Sequence, residues 1–319
     1  MHWFAETRED YCPRWFEAMA GAFPERWRAM EGQSPSAVLL KRAPTPDRVQ
    51  VIISGGGSNG PFIPGFVGEG MADAAVVGPP YTAPSAYALY EAGLALGREK
   101  GVLLLYNNYM GDYLNNDMAD ELLRLEGVRV EQVLCCDDMG QAIGEPRENR
   151  GGRIGIAYVI RVAAEAARRG LPLEEVARLA RKAAARLSTL CVTVDPELSH
   201  VTYGKGFSDE PGFLERDGAT VAGTAEETVE LLLKDVEPRA DERVYMLVNR
   251  LRLTSYSDSF VMAGCLKAAF EKRRPLAQMR VGGYMQVMDV YGYTVTLLCA
   301  DAELDDYLAG SLAGDGFLL

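Results

Sequence analysis

The chain has 319 residues, of which 48% are hydrophobic, so it can bury a core large enough for two domains and is not a disordered or fibrous protein. Its formal net charge of −12 and pI near 4.8 argue against nucleic-acid binding, because that affinity depends on clustered Lys and Arg side chains. A small, uncharged ligand fits this composition better.

The cysteines and the apolar segments indicate the compartment. The sequence contains no CxxC pair, and the cysteines lie mostly in hydrophobic segments, which indicates reduced, buried thiols. The first ten residues show no basic stretch followed by an apolar one, and no apolar run is long enough to span a membrane. We therefore expect a soluble, cytoplasmic protein without a membrane contact. The six cysteines are Cys12, Cys135, Cys136, Cys191, Cys265 and Cys299.

Short β-type runs alternate with helical patterns in the first part of the chain, which is typical of an α/β sheet flanked by helices. A helix over 114–126, with Asn116 or Asp117 as N-cap, is predicted to end at Gly127. Two further helices are predicted over 154–169 and 173–187. The predicted strands are 49–54, 74–77, 102–106 and 130–135.

The same alternation starts again near residue 190, which predicts two α/β domains, 1–190 and 191–319. A polar, Gly-rich stretch over 140–152 is predicted to be a functional or interface loop. In the second domain we predict strands at 190–194 and 245–248, a polar turn region at 203–218, a helix near 257–272, and β-type runs near 278–288 and 293–299.

A glycine cluster directly follows the first predicted strand. Gly55, Gly56 and Gly57 would let the backbone approach a ligand closely, and Ser58 and Asn59 add hydrogen-bonding side chains. Such a turn is also often only a tight connection. The cluster matches neither the phosphate loop GxxxxGK[ST] nor the dinucleotide motif GxGxxG, so we expect this chain to bind no nucleotide or other cofactor itself.

A second polar motif, 107–115, follows the strand at 102–106. Since ligands bind at the carboxyl ends of parallel strands, this motif and the glycine cluster would meet at one edge. Asn107, Tyr109 and Asn115 are candidate ligand-binding residues there. Asp112 is a candidate general base or partner of a ligand hydroxyl, and the alternative is that it caps a helix beginning near residue 115.

A third stretch, 204–212, is rich in turn residues and by itself would be read as a surface loop. Together the three stretches resemble the substrate-binding family of dihydroxyacetone kinases, whose loops read approximately ISGGGSGHEP, KNYTGDxxNF and GxGIHGEPG. The order and spacing hold from about residue 45 to 310. The resemblance implies two α/β domains with mixed or parallel sheets, a homodimer, and a subunit that holds a ketone while a separate nucleotide-binding subunit carries ATP or ADP with Mg.

The resemblance also implies roles for individual residues. The family aspartate that contacts and activates the substrate hydroxyl corresponds to Asp112, as the catalytic residue. The family histidine that bonds covalently to the substrate carbonyl corresponds to Ser208, and the histidine of the first motif is missing beside Asn59. The lysine before the second motif is Asn107 here. A serine hydroxyl without a base is a poor substitute for a nitrogen nucleophile, so binding is expected to be non-covalent.

Several residues keep two interpretations. The chain has only two histidines, His2 and His200; His200 lies shortly before the third stretch and either reaches the site or is structural. Arg250 and Arg252 replace family glycines and either receive an anionic group or are solvated surface charges.

Three functions follow from this reading. The first is a kinase-type subunit that binds a small ketose, polyol or related hydroxylated metabolite non-covalently for phosphoryl transfer from a nucleotide on a partner. The second is a non-catalytic sensor or coactivator on the same scaffold, favoured by the missing histidines. The third is an isomerase or lyase that uses Asp112 with Tyr109 or Tyr113.

Overall fold

The computed structural model describes residues 4–43, 45, 47–57, 59–97, 99–141, 143–195, 197, 199–206, 211–286 and 290–310. The chain forms two compact units, each with its own six-stranded sheet. In the described residues, no helix has the length and apolar character needed to cross a bilayer. The first unit comprises Met1–Cys135, Ile156–Lys182 and Tyr307–Leu319, and the second comprises Cys136–Gly155 and Ala183–Asp306.

The first unit is an α/β layer structure. Its sheet has the order β1-β2-β4-β3-β5-β6, in which β4, β3, β5 and β6 are parallel and β1 and β2 extend it in antiparallel fashion. The elements are α1 (Tyr11–Ala22), β1 (Trp27–Met30), β2 (Ala37–Lys41), β3 (Gln50–Gly57), β4 (Ala74–Pro80), α2 (Ala86–Leu96), β5 (Val102–Asn107), α3 (Met110–Leu125), β6 (Val130–Cys135), α4 (Ile156–Arg168) and α5 (Leu173–Ala184).

The four parallel strands confirm the four that the sequence predicts for this region. β4 and β5 are buried along their whole length, as expected for parallel strands covered on both faces. Leu89 of α2 and Leu123 of α3 pack against Ile52 and Leu104 on one face. The apolar helix α4, almost entirely buried, packs against β3 and β5. Both helix layers therefore fix the central strands that carry the polar motifs.

The second unit is built mainly from antiparallel strands. Its sheet has the order β11-β10-β12-β7-β8-β9, with only the β10–β11 pair parallel. Helices α6 and α7 cover one face around Val229, Leu266 and Leu297. The elements are β7 (Leu187–Val194), β8 (His200–Lys205), β9 (Pro211–Asp217), α6 (Val221–Val236), β10 (Arg243–Arg250), α7 (Tyr256–Glu271), β11 (Gln278–Gly282), β12 (Gly292–Ala300) and α8 (Ala302–Asp305).

Three parts of the second half differ from the prediction. The region 203–218, predicted as polar turns, contains most of an antiparallel hairpin of β8 and β9, whose residues Val201 and Tyr203 are fully buried. Helix α5 ends at Ala184 because Leu187 already begins β7. Helix α6 has no counterpart among the predicted elements.

The compact units do not follow the single predicted boundary near residue 190. Asp138 forms a bridge with Thr189 of β7, and the N–H of Met139 donates to the carbonyl of Thr189 at 3.0 Å, so residues 136–155 belong with the second sheet. Helices α4 and α5 belong with the first sheet. The division depends on contacts between residues far apart in sequence, which the periodicity of one segment does not contain.

The carboxylate of Asp137 ties the segment 136–155 together. It is fully buried and accepts hydrogen bonds from the N–H groups of Arg153 at 2.7 Å and Gly155 at 2.9 Å, and from the hydroxyl of Thr189. A carboxylate that accepts several donors in a buried place is strongly stabilising, because its loss leaves those donors unsatisfied.

We expect Asp137→Ala to lower the free energy of unfolding by about 3 kcal/mol, since three buried donors lose their acceptor. Urea unfolding followed by circular dichroism measures the change. The matched control is Asp241→Ala, which removes an exposed carboxylate of the same unit and should change stability by less than about 0.5 kcal/mol. Equal effects of the two substitutions would contradict the role of Asp137.

Candidate functional site

The two polar motifs of the first unit follow the neighbouring strands β3 and β5, where the order of the strands along the sheet reverses. Strands β3 and β5 are parallel neighbours. From the end of β3 the chain continues to β4 on one side, and from the end of β5 it continues to β6 on the other. Connections that diverge in this way leave a crevice at the carboxyl ends of the two strands, which is where ligands bind in open α/β sheets.

The glycine cluster is the end of β3 rather than a loop after it. A side chain at Gly57 would collide with Cys12 Sγ and with the carbonyl oxygen of Gly78, and one at Gly56 would lie 3.3 Å from the backbone of Thr82. The glycines therefore let the chain after β4 pack closely over β3. Ser58 lies outside the described residues.

Helix α3 begins earlier than the sequence predicts, and the predicted start near residue 114 is wrong. Its first residue is Met110, and its N-cap is Tyr109, which has an extended backbone and no side-chain capping bond. Neither Asn116 nor Asp117 is the N-cap, because both lie inside the helix. The alternative that Asp112 only caps a helix is also wrong, since Asp112 lies within the first turn.

Asp112 is a buried acid at this edge. The residue is only 7% exposed to solvent, and its Oδ1 has no hydrogen-bond partner in the described part of the chain. Burial raises the pKa of Asp112 to about 7, because the charged form loses its water. A carboxyl group with a pKa near neutrality is suited to accept a proton at physiological pH.

Two other side-chain oxygens of the polar motifs are also buried acceptors without a hydrogen-bond partner in the described residues. Asn107, the last residue of β5, and Asn59, just beyond the end of β3, each have a buried Oδ1 that lacks a partner among the described residues. Buried polar atoms are nearly always hydrogen-bonded, because an unsatisfied one costs about 1–3 kcal/mol. One of these oxygens lies just after β3, one at the end of β5 and one in the first turn of α3, and each can accept a hydrogen bond from a hydroxyl group.

The structure assigns other partners to the remaining candidates of this motif. Asn115 Nδ2 donates to the carbonyl of Pro84 at 2.7 Å, so this amide holds the segment after β4. The N–H of Tyr109 donates to the carbonyl of Asn107 at 2.9 Å. Two residues without a predicted site role, Ser54 and Asn116, lie directly beneath Asp112. The signal for Asn116 was its position four residues after Asp112, on the same helix face.

The third stretch belongs to the second unit. Gly204 lies near the end of β8, with Gly140 of the predicted Gly-rich loop packed directly against it. The fully buried Arg153 pairs with Asp138 and donates to the carbonyl of Lys205 at 2.6 Å. Ser208 lies outside the described residues.

His200 and the two arginines have local roles. His200 Nδ1 lies 2.8 Å from Asp217 Oδ1 across the β8–β9 hairpin, and this hydrogen bond raises the pKa of His200. His200 is the first residue of β8, so about 16 Å of strand separates it from Lys205 at the other end. Arg250 donates to the carbonyl of Thr254 at 3.2 Å, and Arg252 is exposed.

In the described residues, no group of three His, Cys, Asp or Glu side chains could hold a metal ion.

We expect Asp112→Asn to stabilise the protein at pH 8 by about 2 kcal/mol, because Asp112 must ionise there in a buried place. The folded pKa is about 7, above the ordinary value of 3.8, so wild-type stability falls as the pH rises from about 4 to about 7. The gain should grow over that range and stay constant above it. Thermal unfolding from pH 4 to 9 measures it.

The control for this measurement is Asp117→Asn, which changes an exposed aspartate on the same helix. Its effect on the melting temperature should be small and should lack the rise between pH 4 and 7. A pH-independent effect of Asp112→Asn would show that Asp112 is ionised over the whole range.

Comparison with known proteins agrees with this architecture. The chain is 33% identical over 285 residues to the dihydroxyacetone-binding subunit of a PTS-dependent dihydroxyacetone kinase of Listeria innocua, covering 85% of this chain and 86% of the relative. It is 33% identical over 290 residues to D-erythrulose kinase of Mycolicibacterium smegmatis, covering 86% of this chain but only 50% of that protein.

A solved structure has the same fold. The dihydroxyacetone kinase of C. freundii, crystallised with AMP-PNP and Mg²⁺, superposes with a TM-score of 0.87 at 25% identity, covering 98% of this chain and 60% of the other. Residues 17–313 match the Dak1 domain. The match covers almost the whole chain, and the chain therefore belongs to the Dak1 family, whose members include the substrate-binding subunits of dihydroxyacetone kinases.

Proposed function

We propose that this protein is the substrate-binding subunit of a dihydroxyacetone-type kinase and binds a small, uncharged ketose or polyol non-covalently. The observation that carries the proposal is the set of three buried acceptor oxygens, on Asn59, Asn107 and Asp112, at the edge where β3 and β5 end. A ligand with several hydroxyl groups would satisfy all three. The relatives named for dihydroxyacetone and erythrulose support this class of ligand.

In this proposal Asp112 acts on the hydroxyl that receives the phosphoryl group. With a pKa of about 7, the carboxylate accepts the hydroxyl proton as the oxygen attacks phosphorus. Phosphoryl transfer depends mainly on positioning and charge stabilisation, so a covalent attachment to the substrate is not required. The side chains of Asn59 and Asn107 orient the substrate by accepting from its other hydroxyls.

Non-covalent binding follows from the nucleophiles that the chain offers. Its two histidines are His2 and His200, and His200 is bound to Asp217 at the far end of β8. The position of the family's covalent histidine is Ser208. A serine hydroxyl has no lone pair basic enough to form a stable adduct without an adjacent base. Selectivity would then rest on hydroxyl groups and would not require a carbonyl.

The phosphoryl donor in this proposal is ATP or ADP with Mg²⁺ on a separate nucleotide-binding subunit. The C. freundii kinase, of which this chain covers 60%, supports a division between a substrate-binding and a nucleotide-binding part. We further propose a homodimer in the cytoplasm, involved in carbohydrate metabolism. None of the six cysteines, all of which lie in the described residues, forms a disulfide, and this suits a reducing compartment.

A second candidate function is a ligand sensor that controls a partner without phosphoryl transfer. The absence of both family histidines from the expected motifs favours it. Such a protein would bind the same polyols through the same oxygens, so ligand binding alone does not separate the two. Phosphorylation in the presence of a nucleotide-binding subunit does.

We expect calorimetric titration to show dihydroxyacetone, erythrulose and glycerol binding within about tenfold of one another, because hydrogen bonds to hydroxyls carry the affinity. Glycerate should bind more weakly, since its carboxylate faces acceptor oxygens. Asp112→Asn should weaken binding of the neutral ligands, and Asp117→Asn should not. Binding of glycerate alone would contradict the proposal and direct attention to Arg250 and Arg252.

With a nucleotide-binding kinase subunit and ATP, we expect phosphorylation whose kcat/KM rises with pH through a midpoint near 7, as Asp112 ionises. Asp112→Asn should lower kcat/KM by about 100-fold to 10,000-fold, the usual contribution of a general base. Binding without any phosphorylation would instead support the sensor.

A further inference from the structure

A buried polar pair lies beneath Asp112. Asn116 is fully buried and Ser54 is 3% exposed. Asn116 Nδ2 lies 3.1 Å from Ser54 Oγ on β3 and 2.8 Å from the carbonyl oxygen of Asp112, to which it donates. One side chain therefore connects the strand that carries the glycine cluster to the first turn of the helix that carries the acid.

The pair is unusual for its surroundings. The other buried residues that follow on α3, Ala119 and Leu123, are apolar and pack into the core beneath α2 and α3. Asn is a poor helix former, and burying an amide is favourable only when its hydrogen bonds are made. An apolar residue at this position would pack the interface without that requirement, so packing alone does not account for Asn116.

The start of α3 needs an additional attachment. Its N-cap, Tyr109, supplies no side-chain hydrogen bond to the first turn. The first four N–H groups of a helix have no partner within it, and an uncapped first turn frays readily. The bond from Asn116 to the carbonyl of Asp112 does not satisfy these N–H groups, but together with the contact to Ser54 it links the first turn to β3.

We propose that the Ser54–Asn116 pair is a positioning element that fixes the carboxyl group of Asp112 at the carboxyl edge of β3. Its consequence for catalysis rests on the function proposed above. Without the pair, the first turn of α3 loosens, and the carboxyl group moves toward water. A misplacement of about 1 Å is enough to lower a rate about 100-fold.

The pKa of Asp112 can be used to detect a change in the position of its carboxyl group. Burial is the cause of its raised pKa, so movement toward water lowers that pKa. Asp112 is one of four titratable groups that act on the phenol of Tyr106 on β5, and the other three, Tyr113, Asp117 and Asp120, all lie on α3. None of these groups changes in the Ser54 and Asn116 variants below.

The test is a ¹³C NMR titration of the aspartate carboxyl groups in the full chain, with the Asp112 signal assigned by its loss in Asp112→Asn. We expect the Asp112 pKa to fall by at least one unit in Asn116→Leu and in Ser54→Ala. Ser54→Thr, which keeps the hydroxyl, should restore a value close to wild type. Glycerol affinity, measured by calorimetry, should fall at least about tenfold in the first two variants and not in the third.

The matched control is Asp120→Asn on the same helix. Asp120 binds Arg124 and accepts from Gln132 Nε2 at 2.9 Å, two turns beyond Asp112. This variant should lower stability and leave the Asp112 pKa within a few tenths of wild type. If Asn116→Leu does not fold, Ser54→Ala, which removes one oxygen atom, carries the test.

The outcomes separate the two proposals. An unchanged Asp112 pKa and unchanged glycerol affinity in Asn116→Leu and Ser54→Ala would overturn the positioning role and leave the proposed function intact. If the Asp112 pKa falls in these variants but the wild-type protein binds no ketose or polyol, the positioning role is supported and the proposed function is overturned.

Discussion

The parallel pairing of β3 with β5 is the contact on which the candidate site depends. Their register runs from Gln50 opposite Val102 to Ser54 opposite Tyr106, so both strands end at the same level of the sheet. The chain leaves the two ends in opposite directions. The glycine cluster and the motif that contains Asp112 are thereby brought to one edge of the sheet, although about fifty residues separate them in the sequence.

The energetics of this edge oppose those of the sheet beneath it. The core around Ile52, Leu104 and Leu123 is closely packed and apolar, and it stabilises the unit. At the edge, buried oxygens that have no partner among the described residues and an acid with a raised pKa are destabilising in the free protein. Groups that lower the stability of the free protein are common at functional sites, where the ligand supplies the missing hydrogen bonds.

Strands β3, β4 and β5 could be predicted because each contains a short, continuous apolar run, too short for a typical helix. Asp112 could be selected because it follows such a strand within a recognisable motif. The start of α3 could not, because Asn116 has the residue type of an N-cap while its buried position depends on packing against β3. The hairpin of β8 and β9 was missed because its polar residues alternate with Val201 and Tyr203, which only the fold shows to be buried. Whether Ser58 and Ser208 contact a ligand remains a sequence-based prediction.

The discontinuous units set the order in which the chain can complete its structure during synthesis. The last strand of the first sheet, β6, leaves the ribosome at Cys135, but α4, which covers β3 and β5, follows only after residues 136–155. Those residues emerge before their partners Thr189 and Lys205, so the hydrogen bonds from Thr189 to Asp137 and from Arg153 to Lys205 form only after α4 and α5 have been synthesised. Neither unit can therefore be finished before the other is begun, and the nascent chain passes through a stage in which both units are incomplete.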